Sequence, residues 1–293
     1  MNILDGRQLA KKIRAELSEE VNKIVAAGGR APHLAAVLVG EDPASQVYVR
    51  NKVRSCEKIG FRSTLIRRPA DVGESELLDV VRQLNEDEAV DGFIVQLPLP
   101  RHINEERVTL AIRPEKDVDG FHPVNFGRMA QGLPCYLPAT PAGILEMMRR
   151  HEIQTEGREV VVIGRSNIVG TPIGILLSRK AYPGNATVTI CHSRTRGLED
   201  HLRRADIIVA AIGIPEFVKG SMVKEGVVVI DVGINRVEAP GTEKGYRLCG
   251  DVDFDSVSPK ASLITPVPGG VGQLTVVSLL MNTLKAARRE IYV

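Results

Sequence analysis

No stretch of this 293-residue chain stays apolar for the ~18 consecutive residues that would suggest a membrane-spanning helix. Neither sign of charge dominates: 38 Lys and Arg residues face 36 Asp and Glu, for a formal net charge of +2. That balance leaves no electrostatic footprint for nucleic acid or for a membrane surface as partner. The six histidines form no HExxH pair, because His151-Glu152 continues as Ile-Gln-Thr. Cys56, Cys135, Cys191 and Cys249 are too far apart for any metal-ligand spacing, so no metal is expected. Reduced thiols in a cytoplasmic protein are the simpler account of them. The opening MNILDGRQLA lacks a basic-then-apolar signal pattern, and no internal repeat is visible. What is present is 43% hydrophobic and 25% charged, the balance of a soluble globular protein. The length suffices for two domains, each with its own core.

The most informative segment is GRSNIVGTP at 164–172, directly after the apolar run Val160-Val161-Val162-Ile163. A buried strand that breaks into a glycine-bracketed turn and then a helix suits a phosphate, which the free N–H groups of a helix start attract. Thr171 is expected to cap that helix and Pro172 to lie in its first turn. A standard second glycine is missing, since Ser166 stands in its place. A tight strand–helix turn without a ligand has the same local pattern. Strands follow at 186–191, 205–211 (ending near Gly213) and 227–231 (running into Gly233-Ile234-Asn235). Helical stretches between them predict a parallel, helix-wound sheet.

An acid is also missing where an NAD site usually has one. The tip of the second strand reads CHSRT at 191–195, without the Asp or Glu that would bind a ribose 2′-hydroxyl. Ser193, Arg194 and Arg165 offer a hydroxyl and cations instead, a set suited to a 2′-phosphate and hence to NADP. Arg194 and Arg196 fit a solvated basic loop equally well.

Upstream lies a separate block. Leu9, Ile13, Leu17 and Val21 recur every four residues and predict an opening amphipathic helix, ended by Gly28-Gly29. Strands are expected at 34–39, 63–66 and 92–95. Helices are expected at 43–59, 74–84 and 104–112, with an irregular stretch beyond. Thr140-Pro141 begins a further helix. The segment 265–272 is a Gly- and Pro-rich loop, and a last helix covers 275–289.

Four segments carry groups capable of chemistry. Ser45, Tyr48 and Lys52 fall at i, i+3 and i+7 and share one helix face. A lysine shuttles protons where burial or nearby cations bring it from about 10.4 toward roughly 7–8; a surface lysine with an apolar stem has the same spacing. QLPLP at 96–100 is a stiff loop at a strand end, with Gln96 able to donate and accept, or simply a rigid turn. In KDVDGFHP at 116–123, Asp119 matches two parallel N–H donors such as those of an aminopyrimidinone, or forms an Asx-turn before Gly120. Gly269, Gly270 and Gly272 permit close approach of backbone to a flat ligand, or make a flexible connection.

YVRNK, QLPLP, KDVDGFHPVN, GRSNIVGTP, CHSRT, DVGIN and TPVPGGVG occur in this order along the chain. On these residues the chain closely resembles the bifunctional methylenetetrahydrofolate dehydrogenase/methenyltetrahydrofolate cyclohydrolase family. The resemblance implies oxidation of 5,10-methylenetetrahydrofolate with NADP+ and hydrolysis of the product to 10-formyltetrahydrofolate, by a cytoplasmic homodimer. It implies Lys52 as the catalytic lysine, Gln96 as its assistant, Tyr48 as the folate-stacking ring and Asp119 as the pterin holder. Ser45, Pro268, Gly269 and Gly270 are expected beside the folate. Gly164, Arg165, Ser166, Ile168, Val169, His192, Ser193, Thr195, Gly213 and Ile234 are expected beside NADP. The implied fold is two α/β domains: a catalytic, folate-binding one over 1–139, joined by the last helix over 273–293, and a Rossmann-like parallel sheet for NADP over 140–272. Family members usually carry Pro-Met after GVG, where this chain has Gln273-Leu274. A proline there would suit a first-turn position whose N–H has no partner.

Two other readings are separable by assay. A shikimate-dehydrogenase-like enzyme would turn over shikimate rather than methylenetetrahydrofolate. A non-catalytic NADP-binding regulator would bind the nucleotide without folate turnover.

Overall fold

The computed structural model describes residues 2–241 and 245–292. The chain forms two compact units, one of Met1–Ala10 with Thr140–Thr275 and one of Lys11–Ala139 with Val276–Val293. The first ten residues thus group with the later block, not with the one that follows them in sequence. The reason is pairing: Asn2–Ile3 is a short strand that runs parallel to Leu263–Ile264.

The unit of Lys11–Ala139 is built on three parallel strands in the order Arg62–Arg68, His33–Val39, Gly92–Val95. His33–Val39 is buried at every position, as a central strand covered on both faces must be. Arg62–Arg68 is the edge strand and stays partly exposed along its length. Helix Pro43–Ile59 starts where Asp42 accepts the Ser45 N–H at 2.7 Å, with Pro43 in its first turn. It ends at Gly60, whose φ of 84° is left-handed. Helices Glu74–Glu86 and Glu105–Ala111 complete the pattern. The stretch expected to be irregular contains one more helix, Pro123–Ala130, whose N-terminus is capped by the His122 ring. The segment Lys116–Val118 covers the free edge of the third strand: Phe93 N–H donates to Lys116 O at 3.0 Å, and Phe93 bridges Asp117.

In the other unit six parallel strands stand in the order Asn2–Ile3, Leu263–Ile264, Val228–Asp231, Ile207–Ala210, Glu159–Ile163, Thr187–Cys191. Helices Gly170–Ser178 and Leu198–Arg204 link the last three in chain order. Between Ile207–Ala210 and Val228–Asp231 the only regular element is a single 3-10 turn, Gly220–Met222. An antiparallel hairpin, Asn235–Glu238 with Tyr246–Cys249, is an addition the periodicity did not suggest. Thr171 does not cap its helix. The helix begins at Gly170 after Val169, and the Thr171 hydroxyl folds back to donate to Arg165 O at 3.1 Å. The last helix, Gly272–Ala287, starts earlier than expected. There Gln273 N–H donates to Gly270 O at 3.2 Å, and Leu274 is fully buried. A proline at 273 would remove a bond that exists.

Gly92 shows how tightly the edge of the smaller sheet is closed. A Cβ there would lie 2.2 Å from Val118 Cγ1 and 3.2 Å from Lys116 O. Gly92→Ala is therefore expected to destabilise that unit by ~1–3 kcal/mol through overpacking, measured as a lower urea unfolding midpoint. Adding Val118→Ala, which removes the colliding methyl groups, should recover part of the loss.

Candidate active and dinucleotide sites

In the smaller sheet the chain leaves the central strand for one edge and then crosses to the other. That makes the carboxyl ends of His33–Val39 and Gly92–Val95 a topological switch point, where α/β sheets open a crevice. Helix Pro43–Ile59 rises from one of these strands and the QLPLP loop from the other. Ser45 is buried, Tyr48 is 49% exposed, and Lys52 is only 9% exposed. Lys52 Nζ donates to Gln96 Oε1 at 3.2 Å. The Gln96 amide is oriented by its own donor, which reaches Leu97 O at 2.7 Å, and by its backbone N–H on Val37 O at 2.9 Å. Lys52 and Gln96 are thus hydrogen-bonded partners. The ammonium makes no ion pair among the described residues, so it is buried against a neutral acceptor.

Asp119 is half-buried, and its carboxylate has no hydrogen-bond or ion-pair partner among the described residues. It lines a small cavity with Val95, Leu97, Asp117 and Phe121. The turn that carries it is held from beneath by Asp117, which is buried. The Asp117 carboxylate accepts from His122 N at 2.8 Å, Phe121 N at 3.3 Å and Asn125 Nδ2 at 2.9 Å. From the last helix, Asn282 Nδ2 donates to Val118 O and Leu137 O, both at 2.9 Å.

In the larger sheet, Glu159–Ile163 has Thr187–Cys191 on one side and Ile207–Ala210 on the other, a second switch point. Gly164 follows with φ 116°, and a Cβ on it would lie 2.1 Å from Ala211 O. A Cβ on Gly170 would lie 2.1 Å from Gly164 O. Only glycine lets the turn close this tightly. Ser166 Oγ accepts the Val169 N–H at 3.2 Å and so shapes the turn from inside. Arg165, Ser166 and Ile168 lie exposed and Val169 half-exposed. At the next strand tip His192 N–H donates to Thr195 Oγ1 at 2.8 Å, and Arg194 N–H donates to the His192 ring at 3.1 Å. His192 and Thr195 thus build the turn, while Ser193 and Arg194 project into solvent. Gly213 and Ile234 stand exposed after the third and fourth strands. The glycine cradle, the nine-residue helix behind it and the acid-free strand tip fit a dinucleotide with a phosphorylated ribose.

Pro268, Gly269 and Gly270 belong to the unit with the larger sheet, not to the one that holds Tyr48 and Lys52. The chain start fixes them: Arg7 N–H donates to Gly269 O at 3.2 Å, and a Cβ on Gly6 would lie 2.0 Å from Gly270 O.

Residues 4–119 match the catalytic domain of tetrahydrofolate dehydrogenase/cyclohydrolase, and residues 138–291 match the NAD(P)-binding domain of the same enzymes. The chain belongs to the tetrahydrofolate dehydrogenase/cyclohydrolase family. It is 59% identical to the bifunctional protein FolD of Azobacteroides pseudotrichonymphae over 100% of both chains. Among solved structures, the bifunctional FolD methylenetetrahydrofolate dehydrogenase/cyclohydrolase of Campylobacter jejuni superposes with a TM-score of 0.93 at 44% identity, covering 99% of each chain. The FolD of Trypanosoma brucei, complexed with NADP cofactor and inhibitor, superposes with a TM-score of 0.91 at 41% identity, covering 99% of this chain and 98% of that one. As a family member the chain is a bifunctional dehydrogenase and cyclohydrolase with an NAD(P)-binding domain.

Sequence reasoning missed the supports beneath both sites. Asp117 holds the Asp119 turn, and Asp231 and Asp251 organise the strand ends of the larger sheet. Burial pushes both the Asp117 and the Asp231 carboxyl up to about 7, against hydrogen bonds from backbone amides that pull the other way. The ordinary value is 3.8. Between these values the folded chain holds protons that the unfolded chain has released, so stability falls as pH rises through this window. Asp117→Asn, which cannot ionise, should lose part of that dependence. Urea unfolding midpoints of parent and variant at about pH 5 and about pH 8 would show a smaller difference in the variant.

Proposed function

We propose that this chain oxidises 5,10-methylenetetrahydrofolate with NADP+ and hydrolyses the 5,10-methenyl product to 10-formyltetrahydrofolate. The observation that carries this reading is the Lys52–Gln96 hydrogen bond at the carboxyl edge of the smaller sheet. Hydrolysis adds water to the methenyl carbon and opens its bond to N5. Both protons must leave the water: one reaches N5 and the other is released as the formyl carbonyl forms. A lysine held by a neutral amide is placed to move such a proton, with no metal required. Tyr48, on the same helix face and half-exposed, offers its ring to the pterin. Asp119 presents an unpaired carboxylate that matches the paired N–H donors of the pterin's aminopyrimidinone. Ser45 completes that helix face, and Pro268, Gly269 and Gly270 are the further folate neighbours in this reading.

NADP+, when bound, supplies the hydride acceptor. Gly164 and Gly170 admit its pyrophosphate, and Arg165 and Ser193 read its 2′-phosphate. Ile168, Val169, Gly213 and Ile234 flank it. His192 and Thr195 hold the turn that presents Ser193. The reading also includes a homodimer, testable by sedimentation.

An absorbance assay with methylenetetrahydrofolate and either NADP+ or NAD+ tests substrate and cofactor together. Oxidation supported better by NADP+ is the expected result; no oxidation with either refutes the reading. Lys52→Met should reduce cyclohydrolase activity to a small residual rate while NADP+ affinity stays near the parental value, since methionine keeps the length and loses the amine. Hydrolysis of methenyltetrahydrofolate at the parental rate would exclude Lys52 as the shuttle. Arg165→Ala should weaken NADP+ by about 1.5–3 kcal/mol, the scale of a charge-assisted hydrogen bond, and leave NAD+ nearly unchanged. The two Michaelis constants measure this directly.

A further inference from the structure

Asp251 is fully buried and makes no ion pair among the described residues. Its Oδ2 accepts two consecutive backbone amides, Ile212 N–H at 2.7 Å and Gly213 N–H at 2.9 Å. Its Oδ1 accepts Asn235 Nδ2 at 2.9 Å. One carboxylate therefore ties the loop after Ile207–Ala210 to the loop after Val228–Asp231. Asp231 backs it: its Oδ1 accepts the Asp251 N–H and the Gly233 N–H, both at 2.9 Å. Two glycines leave room for this pair. A Cβ on Gly233 would lie 2.3 Å from Asp251 Oδ1, and one on Gly250 would lie 1.8 Å from Asp231 Oδ2.

Where these loops stand matters. If the 2′-phosphate lies at the Thr187–Cys191 tip and the pyrophosphate at Gly164, the other half of a dinucleotide extends over the next two strands of the sheet. Those are the strands whose loops Asp251 joins. We infer that Asp251 is a positioning residue for the nicotinamide half of the cofactor. Its carboxylate fixes the spacing of the Ile212–Gly213 and Gly233–Asn235 loops. This rests on the proposed reading of 164–170 as the dinucleotide turn. Ile212 and Gly213 are at least partly exposed, so water can satisfy their amides when the carboxylate is removed. The loss should therefore fall on loop geometry more than on folding.

Two probes separate the halves of the site. Adenosine 2′,5′-bisphosphate carries only the half read by Arg165 and Ser193; NADP+ carries both. Asp251→Ala should weaken NADP+ about tenfold or more while adenosine 2′,5′-bisphosphate binds within about twofold of the parent. Cyclohydrolase turnover should be unchanged. Asp251→Asn keeps one acceptor oxygen for the two amides, and the Asn235 amide can rotate to match it. NADP+ affinity should then return most of the way. Unchanged NADP+ binding in Asp251→Ala overturns the inference. So does equal weakening of both probes, the mark of a general structural loss. If the alanine variant does not fold, Asn235→Ala, which removes one bond to the same carboxylate, gives the same comparison with the same readings. A parent chain that binds neither probe refutes the dinucleotide reading itself.

Discussion

A parallel strand can be followed only by a long crossover. When successive crossovers carry the chain first to one side of a central strand and then to the other, they part over that strand's carboxyl end. Both parallel sheets among the described residues are wound this way, around His33–Val39 in one and Glu159–Ile163 in the other. The gap this opens at the carboxyl ends determines where chemistry can stand. In the smaller sheet the gap brings helix Pro43–Ile59 and the QLPLP loop together, and Lys52 meets Gln96 there. In the larger sheet it brings Gly164 against Ala211. Residues 52 and 96, far apart in sequence, become neighbours because of winding and not because of any local signal.

The loops at these gaps carry backbone amides that no strand or helix satisfies. The chain uses buried carboxylates that accept backbone amides. Asp117 gathers the N–H groups of the 121–122 turn beneath Asp119. Asp231 and Asp251 gather five amides from three segments of the unit with the larger sheet. Among the described residues neither cluster contains a compensating cation, so hydrogen bonds hold the carboxylates against desolvation. This costs stability toward alkaline pH and gives rigid loops in return. Side-chain amides play the same part in the unit with the smaller sheet. Asn125 links Asp117 to Tyr292, and Asn282 fixes Val118 and Leu137.

Much of this was legible in sequence, for identifiable reasons. Helix Pro43–Ile59 was readable because Asp42 and Pro43 mark its start and Gly60 its stop. The strand Glu159–Ile163 was readable because both of its faces are buried and its apolar run is unbroken. The strand Leu263–Ile264 was not, because two residues carry no period; neither was Asn2–Ile3, whose partner lies at the other end of the chain. The helix Pro123–Ala130 was hidden because its cap is a histidine, outside the usual capping set. Thr171 looked like a cap, but its hydroxyl instead ties down the glycine turn. Glycine and motif spacing pointed to the residues proposed to face ligands. They did not expose Asp117, Asp231 or Asp251, whose partners are amides with no sequence signature. In hindsight the one signal was Gly250 before Asp251, a glycine with no turn to explain it.

The central claim is that Lys52 and Gln96 act as one unit in the hydrolysis. A double-mutant cycle on cyclohydrolase turnover, with Lys52→Met, Gln96→Ala and the pair, measures this most directly. If Gln96 works only through the lysine, its replacement lowers turnover in the parent chain and adds nothing once the amine is gone. If the two losses instead multiply, the 3.2 Å contact is a coincidence of packing, and the site works in some other way.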